Sequence, residues 1–564
     1  MGGPLRAVVF DLDDTLYDCT GTLVEAARRK AAAVLVEAGL PMSETEAVAL
    51  QRKLALMHGP HFLVFDEIAR QYGLEPDAVD RAYRAYNSDE VDPIQPFPGV
   101  METLAKLRAC DIRRFLVTSG THRRQSAKVR QLGLEDAFDE IVINDVDRGA
   151  LLSESLRYLL RRHRLRPDEV LLVGDRPQEE IRVANDLGMT TAQVLQGRFS
   201  NFAPRDEHER PNYRVTGVFQ VPTLLRLANM NKPPHVLRIV AIGGGTGLPI
   251  VLEGCKTYCA HPVGIVTVTD SGRSSGQLRT ELGMLPPGDA RNCLVALSEP
   301  GERERLLNRL FQYRFRQGSF NGMSLGNLLI AAMSDLEGSF EQGIRELSRL
   351  LNIRGRVLTP TLEDCQLCAE LTDGTVVQGE ANVHSPHHAP VRRVLLKPPA
   401  PAACQEAIEE IQEADIVVLG PGSLLTSVVA NLLVPGVRDA LARTKATRIY
   451  VGNIVTQPGQ TDGLNARAHL QTFLGYVDAG SVDVALFNDH CPDQEVLARY
   501  RAEGAEMVLA DDDLHTLGVP VVTDNLVEDL DGRRVLWEKK DLLRHHPDRL
   551  ANAICRIYCD RMHA

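Results

Sequence analysis

Residues 7–18 read Ala-Val-Val-Phe-Asp-Leu-Asp-Asp-Thr-Leu-Tyr-Asp, and this order decides how the first part of the chain folds. Ala7 to Phe10 is apolar throughout, as a strand buried on both faces must be, and it empties into Asp11 and Asp13. In open parallel sheets ligands gather beyond the carboxyl ends of the strands, so these carboxylates stand where a crevice is expected. The pair is expected to point two ways, one giving its side chain and the other its backbone carbonyl to magnesium, a hard cation that prefers oxygen. A carboxylate beside such a cation can attack phosphorus and form an aspartyl phosphate. Its neighbour can give a proton to the leaving oxygen and later take one from water.

Working outward, the run Arg114 to Val117 delivers Thr118-Ser119-Gly120, a small hydroxyl turn able to hold phosphate oxygens, and Val170 to Val173 ends in Gly174-Asp175, with Glu179 and Glu180 close behind. Residues 5 to about 228 resemble the haloacid-dehalogenase-like hydrolases through Asp11 to Thr15, Thr118 and Gly174-Asp175. The resemblance implies a nucleophile at Asp11, an acid/base at Asp13 and phosphate contact at Thr118. It also implies magnesium at Asp11, Asp13 and Asp175, with Glu179 or Glu180 behind them. Members of that family place a lysine ahead of the helix that leads to the Asp175 strand. The stretch Asp145 to Leu151 holds none, and Arg148 is its candidate cation. A guanidinium and an ammonium differ in reach and geometry, which leaves two readings, an active phosphohydrolase of small phosphorylated metabolites or a fold that binds without turnover. Between Asp18 and Phe97, Leu23 to Leu40 and Glu44 to Leu56 carry helical periodicity, so residues 18–96 are expected to form a helical cap that fixes substrate choice.

At 564 residues the chain is too long for one core, and 44% hydrophobic with 24% charged residues is ordinary for globular domains. A net charge of −12 sets the long-range field against nucleic acid and anionic membrane as main partners. With neither a leader-like start nor an apolar run of about eighteen residues, a cytoplasmic protein without membrane spans is expected. Self-association is compatible with all of this. The 11 cysteines, odd in number and scattered, suit reduced thiols, and Cys365-Gln-Leu-Cys368, lacking a second matching pair, is read as buried small residues rather than a zinc site.

The seam is marked by Asn229-Met-Asn-Lys-Pro-Pro234, so the expected organisation is 1–228, a linker at 229–235, and 236–564. A strand expected over Val236 to Ile242 runs into Gly243-Gly244-Gly245-Thr246-Gly247-Leu248, whose open backbone amides can meet phosphate at a helix start, though the dinucleotide spacing is absent. The arrangement recurs. Ile265 to Thr269 leads to Asp270-Ser-Gly-Arg-Ser274-Ser275-Gly276 and on to Pro286-Pro-Gly-Asp289-Ala-Arg291-Asn292. Ile416 to Leu419 ends in Gly420-Pro-Gly422-Ser423-Leu-Leu-Thr426-Ser427, and Arg448 to Val451 leads to Asn453, Gln457, Thr461 and Asp462. Four strands emptying into such loops predict a second doubly wound α/β sheet with a polar crevice for a phosphorylated, hydroxyl-bearing ligand. The fold class expected is thus two Rossmann-like α/β domains, the first capped.

Residues 236 to about 560 closely resemble the gluconeogenesis-factor family, relatives of the 2-phospho-L-lactate transferases. The resemblance runs through these loops, Leu325-Gly-Asn327, and the closing segment His545 to Ala551. It implies binding of a UDP-sugar such as UDP-N-acetylglucosamine by the glycine, serine, threonine and amide residues of the loops, and a part in gluconeogenic growth and cell shape. Met323 stands where the family usually has histidine and Ala430 where it usually has proline, so ligand preference is expected to differ. The alternative is a transferase, whose metal-linked acidic site Asp270 and Asp289 could fill. Both aspartates can equally cap turns, and Asn327, Asn431 and Asn453 can equally bond to local backbone.

Overall fold

The computed structural model describes residues 3–563 apart from 59–61, 88–92, 146–148, 150, 201, 203, 300–301, 386–387, 503, 511–512 and 528–542. The chain divides into two compact units, Met1–Asn229 and Met230–Ala564.

In the first unit, strands β1 (Ala7–Phe10), β2 (Arg113–Gly120), β3 (Glu140–Asp145), β4 (Val170–Gly174), β5 (Thr190–Val194) and β6 (Tyr213–Val215) form one parallel sheet in the order β3-β2-β1-β4-β5-β6. Every residue of β1 and β4 is buried, because helices cover both faces of a doubly wound sheet. The segment between β1 and β2 folds into helices Glu25–Glu37, Glu44–His58, Val64–Tyr72 and Pro76–Tyr86 around a small core of their own, with Leu35, Phe65, Ile68 and Ala82 at its centre.

The second unit contains strands β7 (Ile239–Gly243), β8 (Val263–Val266), β9 (Arg356–Leu358), β10 (Gln366–Leu371), β11 (Val376–Gln378), β12 (Val391–Lys397), β13 (Ile416–Leu419), β14 (Thr447–Val451), β15 (Val484–Asn488) and β16 (Val521–Asp524). Seven of them make a parallel sheet in the order β16-β15-β14-β13-β7-β8-β9, and β10 to β12 form a separate antiparallel sheet in the order β11-β10-β12. The first strand of this unit begins at Ile239, three residues later than the sequence suggests, since Val236 and Leu237 still donate to the Pro233 carbonyl in a turn. Cys365 and Cys368 are buried beside and within β10, and all 11 cysteines are free thiols. Helix Pro547–His563 packs on helix Gly247–Cys255 at so close an approach that a Cβ on Gly254 would lie 2.1 Å from the Pro547 carbonyl oxygen.

Both parallel sheets share one wiring. Their first strand lies mid-sheet, the next two build outward on one side, and the chain then crosses to the other side. Helices diverge at this crossover, leaving a crevice between β1 and β4 in one unit and between β7 and β13 in the other.

Candidate functional site

In the first unit the chain leaves β1 at Phe10 and turns, with Asp14 left-handed at φ 56°. Residues two apart in an unbroken strand would share a face, but here the two carboxylates meet different partners, Glu180 and Arg176 at Asp11 and Tyr17 and Lys128 at Asp13. Asp11 faces Asp175 and Glu180, which stand just beyond the neighbouring β4. Burial first, and then the charge of Glu180, push the Asp11 carboxyl well above the usual range, with Arg176 opposing. Asp175 is raised in the same way by burial, then by Glu180 and Asp11. Burial also lifts Glu180 to about 7 against the pull of Arg176. Asp175 Oδ1 and Glu180 Oε2 are buried without a hydrogen-bond partner among the described residues, Arg176 Nε coming no nearer to Asp175 than 4.0 Å.

Asp13 is held differently. Tyr17 donates its hydroxyl to Asp13 at 2.6 Å, and Lys128 Nζ donates to both carboxylate oxygens at 2.8 Å. Burial would raise the Asp13 carboxyl, but the charge and hydrogen bond of Lys128 outweigh it and hold it below the ordinary value. Thr118 is buried, and its Oγ1 accepts from Gln125 at 2.9 Å, which leaves its own proton to donate. Of the two glutamates, Glu180 lines the crevice, whereas Glu179 accepts from Arg176 at 2.7 Å nearer the surface.

The cation expected between Asp145 and Leu151 has a counterpart the sequence reading did not reach, Lys128 on helix His122–Gln131 after β2. Its one sequence cue is position, a lysine one turn beyond Gln125 on the buried face of a strongly polar helix. Arg148 lies outside the described residues.

These carboxylates fit magnesium. Among the described residues no three His, Cys, Asp or Glu side chains form a ready-made cage for an ion. Magnesium, however, takes one or two carboxylates and keeps waters or substrate oxygens on its other positions. Asp11 and Asp175, with the Asp13 carbonyl, could supply that set, and the unpartnered acidic oxygens supply the charge to draw it.

In the second unit the glycines of the β7 loop are dictated by backbone packing. A Cβ on Gly247 would meet the Pro421 carbonyl oxygen at 2.2 Å, one on Gly244 would meet Asp289 Oδ2 at 2.6 Å, and Gly245 is left-handed at φ 61°. The Gly243–Gly247 and Gly420–Ser427 loops therefore touch directly over the crossover, with Thr246 preceding helix Gly247–Cys255.

Behind them stands a trio of acids. Asp270 Oδ1 accepts from the Gly272 amide at 2.8 Å and so also caps its own turn, whereas Asp289 Oδ2 accepts from the distant Gly245 amide at 2.8 Å and ties the β7 loop to its own helix. Burial, then the charge of Asp270, push Asp289 up to about 8; burial, then Glu380, push Asp270 up to about 6. Burial would raise Glu380 too, but His384 and hydrogen bonds with Asp270 and Thr426 hold it below its ordinary value. His384 lies 3.4 Å from Glu380, 3.3 Å from Thr426 Oγ1 and 2.6 Å from Gln460 Nε2, and Gln460 accepts from Ser423 at 2.8 Å. Glu380 and His384 come from the insert that holds the antiparallel sheet. Their distance of about a hundred residues from Asp270, with no recurring spacing, hides them in the sequence.

The remaining loop residues form the scaffold of this crevice. Asn327 donates to Ser274 at 3.2 Å and Ser275 at 3.5 Å, while Arg291 donates to Asn292 at 2.9 Å and also to Ser324. Asn453 donates to the Gly422 carbonyl at 2.8 Å, and Asn431 to the carbonyls of Gly243 and Ser427. These asparagines thus lock backbone, whereas Gln457 Oε1 is buried without a hydrogen-bond partner. Met323 packs with Leu278 and Ala331 in a small apolar cluster.

Fold and sites together define a class, a two-unit α/β protein with an acidic crevice at each crossover. Residues 5–188 match the haloacid dehalogenase-like hydrolase family, and residues 239–527 match the family of 2-phospho-L-lactate transferase CofD. The gluconeogenesis factor of Halalkalibacterium halodurans is 43% identical over 318 residues, which cover 56% of this chain and 95% of that protein. That of Bacillus subtilis is 38% identical over 319 residues, covering 56% and 96%. A crystal structure of a UPF0052 family member from Bacillus halodurans, 42% identical, covers 56% of this chain and 99% of that one with a TM-score of 0.53. The chain belongs to the CofD-like gluconeogenesis-factor family and carries a haloacid dehalogenase-like hydrolase domain fused ahead of it. Among its described residues no single helix is long and apolar enough to cross a membrane.

Proposed function

We propose that residues 1–228 are a magnesium-dependent phosphomonoester hydrolase for small phosphorylated metabolites and that residues 236–564 bind a nucleotide sugar as a regulatory module. The observation that carries the first half is the meeting of Asp11, Asp175 and Glu180 at the β1/β4 crossover, with buried acidic oxygens that find no hydrogen-bond partner among the described residues. Magnesium bound there would neutralise phosphoryl charge. Asp13, ionised beside Lys128 at rest, first collects the proton that Asp11 gives up; the Asp11 carboxylate then attacks phosphorus as the ester P–O bond breaks, and Asp13 passes that proton to the leaving oxygen. Asp13 then takes a proton from the water that attacks the aspartyl phosphate, releasing phosphate and restoring Asp11. Thr118 and Lys128 orient the phosphoryl group and Asp13. A phosphate-release screen over sugar phosphates and other metabolites, wild type beside Asp11→Asn, tests this. Release by both proteins alike removes Asp11 from the reaction, and release by neither leaves a binding domain.

For the second half, facing glycine loops and hydroxyls suit a diphosphate, and the Asp289 carboxyl, pushed up to about 8 by burial and the charge of Asp270, lowers the repulsion an anionic ligand meets. Binding of UDP-N-acetylglucosamine without turnover, measured on the purified chain, would support sensing, in keeping with a role in gluconeogenic growth and cell shape in the cytoplasm. A second reading, transfer of a phosphorylated group, is favoured by the trio Asp270, Asp289 and Glu380. Product from nucleotide-activated phospholactate and a deazaflavin acceptor would select it.

A further inference from the structure

Helices Glu302–Gln312 and Leu325–Glu337 of the second unit run antiparallel, because the turn between them closes on itself. The Phe315 amide donates to the Met323 carbonyl at 3.0 Å, the Gly322 amide to the Phe315 carbonyl at 2.8 Å, and the Leu325 amide to the Tyr313 carbonyl at 2.9 Å. The first helix buries Phe311 but turns Leu306, Leu310 and, just past its end, Tyr313 outward, 56%, 41% and 49% exposed. Their spacing of four and then three residues is that of a single helix face. The turn prolongs the stripe, since the Tyr313 ring meets Phe315 at 5.3 Å and Phe315 meets Phe320, itself 53% exposed, at 5.6 Å. Large apolar side chains exposed singly are ordinary, but a continuous stripe marks a contact surface.

The charges of this face are also unmatched. Among the described residues Arg303, Glu304, Arg309, Arg316, Asp335 and Glu337 form no ion pair. The next helix, Phe340–Leu350, is unlike it, for Arg345 pairs with Glu341 at 2.8 Å and Glu406 at 3.0 Å, and Arg349 with Glu346 at 2.5 Å. Antiparallel packing brings Asp335 and Glu337, at the end of the second helix, toward the start of the first, where with Glu304 they outnumber Arg303. Arg309 and Arg316 lie toward the other end. The stripe is thus flanked by acid at one end and base at the other.

We propose that this face is where two copies of the chain meet, about a two-fold axis crossing helix Glu302–Gln312 near Leu306 and Leu310. A two-fold contact uses the same patch twice, so the patch must complement itself. Stripe on stripe, with the basic end of each copy over the acidic end of the other, meets that requirement. A polyanion does not fit, because nucleic acid or an anionic bilayer would bring phosphate against Asp335 and Glu337 in a chain of net charge −12. The composition is that of a protein interface, with arginine, tyrosine and phenylalanine and no lysine from Glu302 to Glu337. At the foot of the turn the Ser324 amide donates to Ser274 at 3.3 Å, so pairing would hold the turn beside the loop after β8. The assignment is independent of what that crevice binds.

The test is sedimentation of the full-length chain over about 1–100 µM, where weak dimers become visible. Wild type is expected to sediment as a dimer. Leu310→Asp and Phe320→Ser, exposed changes on separate elements, should each weaken dimerisation about tenfold or more with unchanged melting temperature. Arg316→Glu and Glu337→Arg should each weaken it, and the two together in one chain should restore it. A monomeric wild type overturns the proposal, as does a dimer indifferent to Leu310→Asp and Phe320→Ser. Failure of the double charge reversal to restore pairing overturns the two-fold arrangement. A monomer that pellets with phosphatidylglycerol vesicles and loses them on Leu310→Asp gives the face to a membrane instead, and also overturns it.

Discussion

Lys128 shows what a single residue adds to the hydrolase crevice. Its ammonium and the Asp13 carboxylate form a pair whose lysine is nearly enclosed, and removing one partner of such a pair costs about 3–5 kcal/mol because the other charge stays buried. Lys128→Met is therefore expected to lower the melting temperature of the first unit and reduce phosphate release at least tenfold, while adding Asp13→Asn should return much of the stability but none of the activity. Asp11→Asn should cut release by more than about a thousandfold, since it removes the nucleophile. Its melting temperature should hold or rise, because a carboxylate whose charge is disfavoured has gone. Asp289 gives a pH signature to the other unit. Its folded value of about 8 exceeds the ordinary 3.8, so its contribution to stability is complete below about pH 4 and is lost as pH rises through 8. Thermal midpoints measured from pH 6 to 9 should fall for wild type and flatten for Asp289→Asn, whose amide oxygen can still accept from Gly245. Asp11, Asp13, Asp175 and Asp270 stood out because each follows a strand-like run, and Asp289 because it sits in the Pro286-Pro-Gly-Asp289 turn. Lys128, Glu380 and His384 did not, because tertiary folding alone brings them in.

At the level of elements, both sheets use one device to fix adjacent parallel strands. Arg114, second residue of β2, gives its amide and guanidinium to Asp139, the residue just before β3. Arg448, second residue of β14, does the same with Asp483, just before β15, at 2.8 to 3.1 Å, and Arg561 of the final helix adds a third contact. Burial would raise the Asp483 carboxyl, but the Arg448 hydrogen bonds and the two positive charges hold it below the usual range. Its stabilisation is thus present above about pH 4 and is lost as pH falls through the folded value. Asp483→Asn should cost about 1.5–3 kcal/mol at pH 7 by urea unfolding, with the difference from wild type shrinking toward pH 2. Strands and cap helices were legible as apolar runs and helical periodicity. The antiparallel insert was not, because β10 to β12 pair through partners that only the register of the folded sheet reveals. Yet this insert carries Glu380 and His384 to the acids.

For the molecule as a whole, each unit holds its own buried core, one around Val9, Phe115 and Leu172, the other around Ile242, Leu419 and Phe487. Fragments 1–229 and 230–564 should therefore each fold when made alone, with cooperative melting by calorimetry and the site properties of the full chain. Division into two units was legible from length, from the Pro233-Pro234 seam and from the two sets of loops. Their common wiring was not, since strand order depends on pairings that no local stretch encodes. The contact at Gly254 has a mechanical meaning. The helix that begins at the glycine loop after β7 is pinned near its far end against Pro547 at the start of the final helix, like a lever with a fixed fulcrum. A side chain as small as alanine at Gly254 would pry the two helices apart and swing the loop end of the lever, so a change buried at one end of the helix should shift the glycine loop at the other.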